Sequence, residues 1–210
     1  LIGVNPNTSY KSPKDLLDAM KAKPGQVTVA TAGVTSAGHN AMELIAKNTG
    51  VKYRHVTYDG GNPAVVSTVA GETEVTTQLA VEQADMIRGK RIRPFATVSD
   101  KALDLEGFGV IEPLSKTLPG FKAPANYFGL FIPKGVPDEV VKTVEKIWVD
   151  QITKSDALKK YATSRGALFA PYHGAEAVSA VMPAVQANAW LLFDSGKAKV
   201  SPDSVGVARP

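Results

Sequence analysis

The segment Thr31-Ala32-Gly33-Val34-Thr35-Ser36-Ala37-Gly38-His39 gathers small residues, hydroxyls and one imidazole where an apolar strand gives way to a helix. Ser36 stands where a helix cap belongs. The unpaired N–H groups of the turn after it, reinforced by the helix dipole, make a site for an anion. The arrangement recurs at Tyr58-Asp59-Gly60-Gly61-Asn62-Pro63-Ala64, with Asn62 reading as the cap and Pro63 as the first helical residue. Neither turn contains Lys or Arg. An anion held there is held by dipoles and neutral donors, which suits a carboxylate with a fast exit better than a polyphosphate. One helix start contributes ~0.3–2 kcal/mol and a hydrogen bond to a charged group ~1.5–3 kcal/mol. Micromolar affinity needs about 8 kcal/mol after ordering costs, so a single cap is too little and two helix starts with a few hydroxyls suffice.

Other chemistries fit less well. Ser36 and Asn62 serve equally as plain helix caps, and His39, in the first helical turn, either faces a ligand or lies on the helix surface. A hydrolase or transferase using Ser36 or His39 is the enzymatic alternative. It lacks a Gly-x-Ser-x-Gly elbow, and a base three residues beyond its nucleophile on one helix is poorly aimed. Three scattered histidines (His39, His55, His173) and no cysteine give no metal-ligand spacing. No dinucleotide or phosphate-loop glycine motif occurs, so neither metal nor cofactor is expected. The basic run Arg88-Gly89-Lys90-Arg91-Ile92-Arg93 carries no interleaved aromatics. It reads as cations closing a helix, with Gly89 as the residue just past its end, and not as a nucleic-acid surface.

The elements that must position these turns alternate along the chain. Ser12-Pro13-Lys14-Asp15 starts a helix that Pro24-Gly25 stops. Strands are expected at 27–31, 52–58, 74–79 and 93–98, with helices at 41–48, 63–70 and 82–88 between them; this pattern calls for parallel pairing and right-handed crossovers. Residues 101–125 read as loop. A strand at 127–132, helices at 137–152 and 155–163, a strand at 167–170 and a long helix at 175–193 follow, then a loosely held tail. The 210 residues, 44% hydrophobic and 21% charged with 18 Gly and 14 Pro, belong to a globular protein and exclude collagen-like and disordered classes. A net charge of +4 permits an anionic ligand without demanding nucleic acid.

The run from Gly33 to Leu44 resembles the Gly-x-Gly-Ser/Thr-x-x-His-Leu-Ala-x-Glu-Leu signature of the tripartite tricarboxylate transporter receptors, also called Bug proteins. His55-Val56-Thr57-Tyr58-Asp59-Gly60-Gly61-Asn62-Pro63-Ala64 is similar to their His-Val-Pro-Tyr-Lys-Gly-x-x-Pro-Ala. Ala70 to Val75, Gly89 to Arg93, Leu118 to Phe121 and Gly129 to Pro137 match further family motifs in the family's order. Thr35, Thr57 and Asp59 depart from the pattern, the last reversing a charge. The resemblance implies an α/β fold of the type II periplasmic-binding-protein kind: two lobes of mixed, mainly parallel sheets flanked by helices. It places the second lobe, with its crossing strand, at 1–125 and the C-terminal part of an incomplete first lobe at 126–210. A signal peptide and the opening half of the first lobe would lie upstream of Leu1. The implied function is a monomeric, non-catalytic periplasmic receptor that captures a small carboxylate for membrane permease subunits. An effector domain of a transcription regulator shares the fold. The resemblance and the helix starts together give Thr31, Gly33, Val34, Thr35, Ser36, Ala37, His39, Tyr58, Gly61, Asn62, Pro63, Ala64 and Gln78 as ligand-binding positions. The family often has Asp at the position of Gln78 where an amino group is read, so the neutral side chain implies a ligand without an ammonium.

Overall fold

Every residue of the strand Thr28–Thr31 (β2) is buried, as a strand covered on both faces requires. In the computed structural model, which describes residues 1–210, β2 is flanked by two parallel neighbours. One is Arg54–Thr57 (β3), in register with Thr31 opposite Thr57; the other is Val75–Thr76 (β4), with Ala30 opposite Thr76. Ile2–Val4 (β1) pairs antiparallel with β4 and with Arg93–Ala96 (β5), giving the order β3-β2-β4-β1-β5. One strand therefore runs against the other four, and the sheet is mixed.

Helices cover both faces. Pro13–Ala22 (α1) is capped by the Ser12 hydroxyl, which accepts the Asp15 N–H at 3.1 Å, and buries Leu16, Leu17 and Met20. These pack with Met42 and Ile45 of Ala37–Thr49 (α2) and with Val29 and Val75 of the sheet. A separate cluster joins Val65 of Gly61–Ala70 (α3) to Ala84 and Ile87 of Ala80–Arg88 (α4), with Ile92, Leu105 and Ile111. Each cluster stabilises by removing apolar surface from water at roughly 25 cal/mol per Å².

Several local expectations change. α2 starts at Ala37 instead of residue 41, because the Ser36 hydroxyl accepts the His39 N–H and closes the first turn early. α3 starts at Gly61, with Gly60 as its cap, so Asn62 is the second helical residue and not the cap. The left-handed residue after α4 is Lys90 (φ 56°), while Gly89 has an ordinary negative φ. Within the stretch read as loop, Leu103–Leu105 (β6) and Gly109–Ile111 (β7) form a hairpin whose inner side chains Leu105 and Ile111 are buried. Gly107 in its turn and Gly109 at the start of β7 both hold positive φ.

The chain divides into two units, Leu1–Ala123 with Ser164–Ala167, and Pro124–Thr163 with Leu168–Pro210. The return segment is tied to the first unit by Arg88, whose guanidinium donates to the Ser164 carbonyl, and by the Arg165–Asp85 ion pair. The second unit holds Asp138–Ile147 (α5), Asp156–Ser164 (α6, whose last residue joins the first unit) and Gly174–Asp194 (α7), with no strand. The segments at 127–132 and 167–170 are unpaired, since no strand of this unit offers them a ladder, and Phe128, Leu130, Phe131 and Leu168 are exposed. The C-terminal tail is anchored instead of loose. Trp190 Nε1 donates to the Val207 carbonyl at 3.1 Å, and the Arg209 guanidinium lies over the Trp190 ring while pairing with Asp194. No helix is long and apolar enough to cross a membrane.

Candidate functional site

Because β2, β3 and β4 run parallel, the turns that follow them open at one edge of the sheet, and each feeds a helix start. β2 leads into α2, whose Met42 and Ile45 join one cluster, while β4 leads into α4, whose Ala84 and Ile87 join the other. Adjacent strands whose helices leave to opposite faces define the switch point where open α/β sheets bind ligands. At α2 the amides of Ala37 and Gly38 precede the first intrahelical bond, and at α3 those of Gly61 and Asn62 do. These four N–H groups, with the two helix dipoles, are of the kind that can hold an anion. Since Pro63 has no N–H, the α3 donors lie before it and not after it.

The third start, α4, was expected at residue 82 and lies two residues earlier, at Ala80. Its cap residue is Leu79, which has no polar side chain, and the Glu82 carboxylate turns back to accept the Leu79 N–H at 3.0 Å. The same oxygen accepts Gln78 Nε2 at 3.1 Å. Gln78 is buried and threads between the other two starts: its Oε1 accepts the Ala32 N–H at 3.4 Å. A Cβ on Gly38 would stand 2.0 Å from Gln78 Oε1, and one on Gly61 would stand 1.8 Å from Glu82 Oε1 and 2.5 Å from Gln78 Nε2. A side chain at either glycine would displace the ends of Gln78 and Glu82 from this network. The signal available in the sequence was the Gln78-x-x-x-Glu82 spacing at a strand-to-helix junction. An internal carboxylate thus occupies the α4 start. No Lys or Arg occurs in residues 31–39, 58–64 or 77–82.

The thirteen expected positions separate by burial. Val34, Thr35, Asn62 and Pro63 are exposed; Gly33, Ser36, Ala37 and Tyr58 are half-buried; Thr31, His39, Gly61, Ala64 and Gln78 are buried. Tyr58 donates its hydroxyl to Glu72, beyond the C-terminal end of α3, at 3.4 Å. His39, expected to border a ligand or lie on the helix surface, is 1% exposed. Its Nδ1 contacts the Val34 carbonyl, its Nε2 lies 3.5 Å from Glu43 Oε1, and its ring stacks on His55 at 4.1 Å with planes 7° apart. Glu43 also accepts the Tyr53 hydroxyl at 2.7 Å; burial, then that hydrogen bond, push the phenol well above its usual range. The Ser36 hydroxyl is engaged as a helix cap, accepting the His39 N–H at 3.2 Å.

This doubly wound sheet, with cation-free helix starts converging at its switch point, is the architecture of a type II periplasmic binding protein. Residues 1–178 match the model of the tripartite tricarboxylate transporter family receptors, and the chain belongs to that family. It is similar to a UPF0065 protein of the tcbD-tcbE intergenic region of Pseudomonas sp. strain P51, 32% identical over 137 residues that cover 65% of this chain and 40% of that one. It is also similar to BugT of Bordetella pertussis, 25% identical over 78% of this chain and 49% of that one. Among solved structures, Rpa4515 of R. palustris with adipate superposes with a TM-score of 0.78 at 22% identity, covering 93% of this chain and 64% of that one. MatC of Rhodopseudomonas palustris with bound malate gives 0.77 at 20% identity, covering 90% and 63%. The chain thus spans under half the length of these two curated relatives and just under two thirds of the solved neighbours.

Proposed function

We propose that this protein is a periplasmic solute receptor that captures a small organic carboxylate at the α2 and α3 starts and delivers it to permease subunits of a tripartite tricarboxylate-type transporter. The observation that carries this reading is the adjacency of two helix starts, with four amides free of intrahelical partners and no cationic side chain, at the switch point of one sheet. Family membership supports it, as do the adipate and malate named with two structures of the same fold. The turns after Thr31 and Tyr58 form the rim, with Val34, Thr35, Ser36, Asn62 and Pro63 bordering the guest, while Gln78 holds the turns from beneath.

The geometry of Ser36 and His39 favours capture over catalysis. The Ser36 hydroxyl caps α2 and His39 Nδ1 contacts the Val34 carbonyl, so each is committed to shaping the turn. We further infer that the second unit is the C-terminal part of a lobe completed by other polypeptide, since its residues at 127–132 are apolar, exposed and unpaired. Isothermal calorimetry against mono-, di- and tricarboxylates tests the function. We expect one site that takes at least one of these acids and releases it unchanged; a null result across the panel, or turnover of the acid, would overturn it.

A further inference from the structure

The chemistry beneath the α2 turn is more specific than a receptor of this kind requires. A carbonyl only accepts, so the contact between His39 Nδ1 and the Val34 carbonyl places a hydrogen on Nδ1. The other face of the same imidazole meets the Glu43 carboxylate through Nε2 at 3.5 Å. Stacked on it, His55 places Nε2 at 2.6 Å from the Thr31 hydroxyl, and that hydroxyl reaches the Gly33 carbonyl at 3.3 Å. A hydroxyl has one hydrogen. Given to Gly33, it leaves Thr31 Oγ1 to accept from His55 Nε2–H. Two consecutive carbonyls of the turn are therefore held by two stacked imidazoles, one directly and one through Thr31. The Gly33 carbonyl also accepts the Ser36 N–H at 3.2 Å, which closes the turn on itself.

We propose that His39 and His55 are positioning residues for the carboxylate-binding turn, fixing the carbonyls of Gly33 and Val34 inward so that the amides of Ala37 and Gly38 stay turned to the guest. The proposal rests on the reading of that turn as part of the binding site. The alternative role for a buried His39 is to fill space between α2 and the sheet. The two roles make opposite demands on a replacement. In Asn the amide nitrogen falls near the place of Nδ1 and can donate to Val34. In Gln the nitrogen falls near Nε2, toward Glu43, while the side chain fills the site more completely. Space filling favours Gln; carbonyl positioning favours Asn.

The test compares His39→Asn and His39→Gln with the wild-type chain by amide hydrogen exchange over residues 31–41, with urea unfolding recorded for each variant. In His39→Gln we expect the amides of residues 36, 39 and 40 to exchange about tenfold faster relative to global unfolding, and in His39→Asn to stay within about threefold of wild type. Imidazole nitrogen spectra of the wild type should show His39 Nδ1 and His55 Nε2 carrying hydrogen. Equal exchange in the two variants, or a His39 Nδ1 without hydrogen, overturns the proposal. Titration with malate separates this from the functional reading. Failure of the wild type to bind malate or any other carboxylate would remove the binding reading, while the exchange contrast would still decide whether the imidazoles hold the turn.

Discussion

At the level of single residues, the site depends on what lies behind the rim. Thr31, Gln78 and His39 are named readily by their positions in the sequence, and all three are buried, each with hydrogen bonds to or contacts with the turns. Periodicity identifies a helix start but does not tell which side of it a residue will occupy once three helices converge, because that depends on pairing β2 with two strands distant in sequence. Glu82 was illegible for a related reason: its carboxylate caps a helix whose cap residue, Leu79, lacks the side chain that announces a cap. The cluster has a measurable consequence. Gly61→Ala puts a methyl group where the Glu82 carboxylate and the Gln78 amide now lie, so both must move and their mutual bond is strained. Both groups are ends of flexible side chains that can swing aside, so we expect a loss of about 0.5–1.5 kcal/mol in urea unfolding, the net worth of that one bond. An unchanged midpoint would show that the α3 and α4 starts are not in contact as described.

The first unit was readable element by element where turn chemistry and burial agree. Ser12 and Pro13 announce α1, and Val27 to Thr31 is too apolar and too short for anything but a buried strand. The hairpin β6–β7 was missed because three-residue strands have almost no period and their glycines look like loop. The unpaired segments of the second unit teach the converse: residues 127–132 have strand composition, but composition without a partner makes no ladder. The return segment 164–167 was not anticipated either, since its anchors, Asp85 and Arg88, are distant in sequence. The Asp85 carboxyl is held below the usual carboxylate range chiefly by its hydrogen bond to Arg165, with the charges of Arg165 and Arg88 adding to it. A depressed carboxyl stabilises the folded state above its unfolded value of about 4, and that contribution fades as pH falls through the lower folded value. We expect proteolysis at 164–167 to be constant, relative to the rest of the chain, from pH 7 to about 5, and to rise selectively below about pH 4. Asp85→Asn should bring that susceptibility to neutral pH. Indifference of the segment to both changes would show that the ion pair does not hold it.

For the molecule as a whole, the fold and the family were legible because motif order and strand–helix alternation agree over most of the chain, and the family match covers residues 1–178. The α3 start needed correction: the helix begins at Gly61, two residues before Pro63, so the amides that precede its first intrahelical bond are those of Gly61 and Asn62. The central physical claim is that main-chain dipoles, with no Lys or Arg at the edge, hold the guest. Chemical-shift mapping tests it most directly, by titrating malate, and then adipate, into nitrogen-15-labelled protein. The largest saturable changes should fall on the amides of Ala37, Gly38, Gly61 and Asn62. Saturable shifts centred on any other part of the chain, or on a lysine- or arginine-rich surface, would contradict it.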